Sequence, residues 1–236
     1  MLPKLSQPTF DVVVPTTKQK LKIRPMIVKE EKILLIAKQS DDKIEQFNAI
    51  RQICTNCIVS PSVDLGNFAL VDLEYIFLKI RGFSISNKAS VSYKDNEDEK
   101  VYTFEVDFDK VDIKQQESVQ PVIQLSDGVS IQLRYPPVSL YADGSFFQLE
   151  DQQLFDRILL SSVVKIFQND SVFDCSTIPQ DELIEFINNI PAKYYQQFQQ
   201  FFNSAPELHY VIEYTNSKQT PRKIELRTLD DFFIFG

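Results

Sequence analysis

The sequence predicts an α+β protein with an N-terminal hairpin and helices, a central antiparallel sheet, and a helical C-terminal portion closing with a β-hairpin. Three observations predict it. Apolar residues alternate at both ends and in the middle of the chain, helical spacing of three and four fills the stretches between, and Asp127-Gly128 separates two alternating runs, a strong hairpin signal.

Phe10 to Val14 reads as a strand, Pro15 to Gln19 as a turn, and Lys20 to Arg24 as the returning strand. Pro25 removes a backbone donor and biases Arg24 toward extended geometry, so the strand should stop there. Glu30 and Glu31 then suit a helix N-terminus, and Ile33, Leu34, Ile36 and Ala37 form a broad apolar face on a helix running to about Gln39 that buries its far half. Ser40, with Asp41 and Asp42 behind it, resembles an N-cap for a second helix, along which Ile44, Phe47, Ile50, Cys54 and Cys57 recur at helical spacing. Two helices joined this closely should pack as a corner or antiparallel pair.

Ile58 to Gly66 reads as a loop. Phe68, Leu70, Leu73, Ile76, Phe77 and Ile80 mark a third helix, with Asp72, Glu74, Lys79 and Arg81 off its stripe and Gly82 as its C-cap. From Ala89 the period changes to two: Val91 and Tyr93, then Tyr102 to Phe108 across the charged turn Lys94 to Lys100, then Val122 to Leu125 and Val129 to Tyr135. These runs predict an antiparallel sheet with one wet face. Pro136-Pro137 ends it, and Asp143-Gly144-Ser145 marks a new unit. The predicted division is an α+β region at 1–140 and a helical region at 141–236, and whether they pack as one domain is left open. In the second region a long helix is expected from about Phe146 to Gln168. Thr177 and Gln180 resemble a capping box for a helix through Asn188, and Pro191 opens an aromatic helix through Asn203. His209 to Tyr214 and Arg222 to Arg227 complete a hairpin around Asn216 to Gln219.

The 236 residues suffice for a sizeable core, and a net charge of −8 argues against a nucleic-acid-binding role, which needs a basic surface. No apolar run is long enough for a membrane span, and Met1-Leu-Pro-Lys-Leu-Ser-Gln7 lacks the hydrophobic segment of a secretory leader. The three cysteines are an odd number and fit a reducing compartment, so the expected location is cytoplasm.

Catalytic motifs are weak. Cys54-Thr55-Asn56-Cys57 has half a redox or zinc spacing but no second pair, and it falls on the apolar side of a helix, so buried structural cysteines are expected. His209 is the single histidine, which leaves no His-His metal pair, and no Gly-x-Ser-x-Gly elbow accompanies it. The 5 glycines do not cluster, so a phosphate-wrapping loop is not expected. Adjacent acids such as Asp230 and Asp231 read as solvated or capping residues. The aromatic surplus is mostly core, with Phe232-Phe233-Ile234-Phe235 the strongest candidate for a protein-binding patch.

Four stretches in order carry a family resemblance: Phe10 to Pro15; Arg24-Pro25 with Val28 to Leu35; Asp72 to Tyr75 with Lys79 to Arg81; and Asp230 to Phe233. Together they resemble the baseplate hub and hub assembly proteins of T-even-like contractile-tailed bacteriophages, most clearly over the first ~85 residues, though each motif alone is short. The resemblance implies a baseplate hub component, or a factor that assists hub assembly without remaining in the virion, and in neither case an enzyme. Its partners would be other phage baseplate hub proteins, with no nucleic acid, no membrane span and no small-molecule substrate, and it would act in the host bacterial cytoplasm. Some family members carry a cysteine-bearing hairpin like a zinc knuckle near the C-terminus. Tyr214 to Lys223 contains no cysteine, so no metal and no cofactor is expected.

The candidate partner-binding residues are Arg24, Lys29, Glu30, Glu31, Lys32, Phe232, Phe233 and Phe235. The charged group either braces Asp72 and Arg81 internally or meets a hub partner. Two other classes remain open, a small cytosolic enzyme of hydrolase type and a protein-binding module unrelated to phages.

Overall fold

A computed structural model describes residues 5–115, 119–126 and 128–232. Strands and helices are mixed, and every strand pairing is antiparallel among the described residues. The chain forms two compact units, one from Met1–Leu65, Val71–Lys114 and Pro206–Gly236, the other from Gly66–Leu70 and Gln115–Ala205. The sequential division at 140/141 separates strands that pair within the second unit.

The first unit opens with β1 (Phe10–Val13) and β2 (Lys20–Ile23), paired from Phe10↔Ile23 to Val13↔Lys20. Helix α1 (Val28–Lys38) follows the proline corner and packs on α2 (Lys43–Cys57). Asp42, not Ser40, caps α2 by accepting the Ile44 N–H at 2.8 Å, while Ser40 Oγ donates to Glu45 at 2.7 Å. The buried stripe of α2 is Gln46, Ala49, Ile53, Cys54 and Cys57, rotated from the expected one.

The expected loop after α2 contains β3 (Ile58–Ser60), a third strand on β2. Helix passes straight into strand at two β-branched residues, and the Arg24 N–H donates to the Cys57 carbonyl beside the pairing. Helix α3 (Leu70–Ser84) buries residues nearly all round, among them Leu73, Ile76, Phe77, Leu78 and Ile80, as a helix enclosed by its own unit must. Gly82 lies inside α3 and does not cap it. The helix continues because Phe83 stacks on Phe10 at 3.9 Å and Ser84 Oγ accepts the Met26 N–H at 2.8 Å. A Cβ at Gly82 would stand 2.6 Å from Asn87 Oδ1, so close approach explains this glycine.

Strands β4 (Lys88–Lys94) and β5 (Val101–Asp107) make a hairpin in their own two-stranded sheet, and β6 (Asp112–Lys114) follows. The single central sheet is therefore corrected. Periodicity reveals which residues are strands but not which strands pair across long loops.

In the second unit β7 (Val122–Ser126) and β8 (Val129–Leu133) form the expected hairpin. Short α4 (Val138–Tyr141) leads to α5 (Asp151–Ser162), which stops well before Gln168. Val163–Gln168 is strand β9, pairing with β8 and with β10 (Ser171–Asp174) in a sheet ordered β10-β9-β8-β7. Val163, Val164, Ile166 and Phe167 favour a pleated surface, and the partner strand overrides helix spacing that is also satisfied. Helices α6 (Gln180–Asn188) and α7 (Tyr195–Asn203) cover the unit's core, where Tyr194, Phe198 and Phe201 pack with Ile131 and Leu133. Pro179 precedes α6, and Thr177 donates to the Asp174 carbonyl at 2.8 Å without capping the helix.

The chain then completes the first unit with β11 (Glu207–Thr215) and β12 (Pro221–Leu226) in a sheet ordered β12-β11-β6, and with α8 (Leu229–Phe232).

Candidate interaction surface

The proline corner joins three elements through one guanidinium. Pro25 sits just past the end of β2 and Ile27 occupies the N-cap of α1, where no cap side chain can bond; Glu30 reaches back instead and accepts the Ile27 N–H at 3.0 Å. Arg24 donates to both Glu30 carboxylate oxygens, at 3.1 and 3.3 Å, and to the carbonyls of Asn56 at 3.0 Å and Pro25 at 2.9 Å. The end of β2, the first turn of α1 and the last turn of α2 are thereby locked together. Glu30 is 1% exposed. Burial pushes its carboxyl upward, but Arg24 and the Ile27 N–H outweigh this and hold it below the usual range. The Glu30 hydrogen bond raises Arg24 further against a lesser effect of burial. Within the candidate set, Arg24 and Glu30 brace each other. Asp72 is held separately, accepting the Thr16 N–H at 2.9 Å and the Thr16 hydroxyl.

The outer side of α1 is different. Lys29 and Lys32 are exposed and make no ion pair among the described residues, and Glu31 is half-buried. Val28, Leu35 and Ile36 stand between half and three-quarters exposed, at 72%, 52% and 71%. At about 100° per residue Val28, Lys32, Leu35 and Ile36 fall on one stripe, opposite buried Leu34 and Ala37. The expectation that Ile36 belongs to the buried face is corrected. Ile33 to Ile36 are four aliphatic residues in succession, and on a helix four successive side chains must point round the whole cylinder. That run was the available signal for an outward apolar stripe.

Phe232 is 1% exposed and meets Tyr210 edge-on with ring centres 6.4 Å apart. Its ring is spent inside the first unit. Phe233 and Phe235 lie outside the described residues.

Cys54 and Cys57 are fully buried on α2. Burial raises both thiols, Cys57 to about 11 despite the nearby Arg24 cation, which leaves almost no thiolate at neutral pH. No group of three His, Cys, Asp or Glu residues suited to a metal ion occurs among the described residues. The native protein is expected to leave both thiols unmodified by a maleimide at pH 7, with labelling appearing only at the urea concentration that unfolds it. Rapid labelling of the folded protein would show a surface site at this helix end.

Two further charged centres escaped sequence reasoning. Asp95, on the turn after β4, is wholly buried and accepts from Arg222 Nε at 2.9 Å, Arg222 Nη2 at 3.1 Å, Tyr214 Oη at 2.5 Å and the Glu97 N–H at 2.8 Å. Asp98 accepts from the Ser217 N–H at 3.0 Å, and Asn216 donates to Glu97 at 2.6 Å. The tips of the β4–β5 and β11–β12 hairpins are thus clasped, with Arg222 supplying the cation that the acidic turn requires. The Arg222 hydrogen bond and the others hold Asp95 well below the ordinary carboxylate range, while burial and then Asp95 push the Tyr214 phenol up to about 12. Periodicity showed a charged turn, but the partner lies more than a hundred residues away in sequence.

The other centre is Glu74 on α3. It is 9% exposed and accepts the Leu229 N–H at 3.3 Å, the start of α8. Burial, with Asp230 and Asp231 adding repulsion, raises its carboxyl to about 8 against the Leu229 hydrogen bond.

No helix among the described residues is long and apolar enough to cross a membrane. Residues 7–234 match a protein family described as T4 bacteriophage base plate protein. Comparison with curated proteins and with solved structures found no match.

Proposed function

The chain belongs to the T4 bacteriophage base plate protein family, and from that premise we propose that it serves the hub of a contractile-tail baseplate, as hub subunit or assembly factor, by binding other baseplate proteins. The observation that carries the reading is the outer stripe of α1, where aliphatic side chains, and lysines with no ion pair among the described residues, stand in solvent on a helix anchored from behind by the Arg24–Glu30 lock. Large exposed aliphatic residues grouped on one rigid face suit burial against another polypeptide. Lys29 and Lys32 lie on this side, so the candidate residues divide into a bracing pair and a contact pair. Assembly takes place in the cytoplasm of the infected bacterium.

Phage carrying Val28→Glu with Leu35→Glu tests this. The purified variant is expected to keep the wild-type circular dichroism spectrum and thermal midpoint, because both side chains already face water. Losing two apolar anchors at ~1–2 kcal/mol each should weaken partner binding on the order of a hundredfold and arrest tails before baseplates form. Normal baseplates from this variant would overturn the reading of α1. Mass spectrometry of purified virions separates the two roles, since a hub subunit stays in the particle and an assembly factor does not.

A further inference from the structure

Within the second unit a groove runs between α5 and α6, with an open volume of about 320 Å³. Leu149, Leu160, Ile184 and Ile187 give it an apolar floor, and Asp156 and Arg157 stand on its α5 side. Arg157 is already engaged, donating to Asp143 at 3.0 Å. Asp181 and Glu185 are exposed on α6, one and two helical steps round from the groove-facing Ile184 and Asn188. The groove is therefore apolar in its centre and acidic at its margin.

The outer stripe of α1 has the opposite character. Val28, Leu35 and Ile36 supply anchors at i, i+7 and i+8, Lys32 stands among them with Lys29 beside them, and half-buried Glu31 borders Leu35 on the other edge. This is the pattern by which a helix is laid into an apolar groove, with opposite charges meeting at the rim. Both halves of such a contact occur on one chain, and both are open to solvent in it.

We propose that the groove between α5 and α6 receives α1 of a second copy of this chain, in a head-to-tail contact. This rests on the reading of α1 as a contact surface and names what covers it. A contact between unlike faces leaves one groove and one helix unfilled in each dimer, so association continues until a ring closes or an open array forms. The lysines set orientation and encounter rate, and the aliphatic residues set the lifetime of the contact.

Sedimentation of the full-length protein over a wide range of concentration tests it. The wild type is expected to form species larger than a dimer, less so at high salt. Leu35→Asp breaks the helix face and Ile184→Asp breaks the groove face; each is expected to weaken self-association at least about tenfold while leaving the circular dichroism unchanged. Mixed in equal amounts, the two variants should form a 1:1 heterodimer that grows no further, since one intact helix and one intact groove remain. Lys29→Glu with Lys32→Glu is a second helix-face variant that needs no apolar change; it should self-associate more weakly than the wild type, yet pair with Ile184→Asp as well as Leu35→Asp does, because its groove is intact. A monomeric wild type, or an oligomer that both Asp variants leave intact, would overturn the proposal. If the wild type is monomeric and Val28→Glu with Leu35→Glu still arrests baseplates, a different protein covers α1, so this inference falls and the proposed function stands.

Discussion

Replacing Arg24 by Glu is expected to destabilise the first unit by about 3–5 kcal/mol, the range for removing one partner of a buried ion pair. Glu30 is all but sealed from solvent, and four of the donor contacts at the corner come from Arg24. Without the guanidinium a carboxylate is left in a dry site, and reversal adds a second one beside it. Arg24→Met combined with Glu30→Met should recover much of the loss, because two apolar side chains of similar length carry no desolvation penalty. Urea midpoints of the two variants check this. Lys29→Glu should change the unfolding free energy by no more than about 0.5 kcal/mol, as befits an exposed side chain. Should Arg24→Glu fold as well as the wild type yet fail to support baseplates, the guanidinium would belong to the contact surface and not to the brace.

Glu74→Gln is expected to stabilise the protein, by roughly 1–3 kcal/mol at pH 8. The folded carboxyl titrates at about 8, above its value of 4.5 in an unfolded chain. Between these limits the folded state holds a proton that the unfolded state has released, so stability is fully present below about pH 4.5 and is lost as pH rises to about 8. A glutamine stays neutral throughout and still accepts the Leu229 N–H. The gain should therefore vanish at pH 4 and grow toward pH 8 in urea melts. A constant gain at every pH would place its cause in packing and not in proton uptake. The junction most affected is that of α8 with α3; the Lys43–Asp230 pair at 2.9 Å, which joins α8 to the start of α2, should be left in place.

Much of the local structure is legible in the sequence. The hairpins at β1–β2, β4–β5, β7–β8 and β11–β12 follow from alternation interrupted by turn residues, and α1, α2, α3, α6 and α7 follow from helical spacing. The failures share one cause. Val163 to Gln168 fits helix and strand spacing alike, and only β8 and β10 alongside decide for strand. Ile58 to Ser60 is too short to read until β2 is beside it. Gly82 looks like a stop signal until Asn87 shows why no side chain fits.

The candidate site divides in the same way. Arg24 and Glu30 could be picked out as a charged cluster at a proline corner, and the helix register puts Lys29 and Lys32 on another side. Which charges face inward depended on α2 arriving with the Asn56 carbonyl.

The order of side chains along the chain was enough to determine the α+β class, the turns and the segments that must be amphipathic, because these depend on neighbours within about one turn of helix or one hairpin. Tertiary structure alone decided that Glu30, Asp72, Glu74 and Asp95 are buried while Val28 and Ile36 are not. Burial of a charge depends on a partner brought from far along the chain, and exposure of an aliphatic residue depends on no element arriving to cover it.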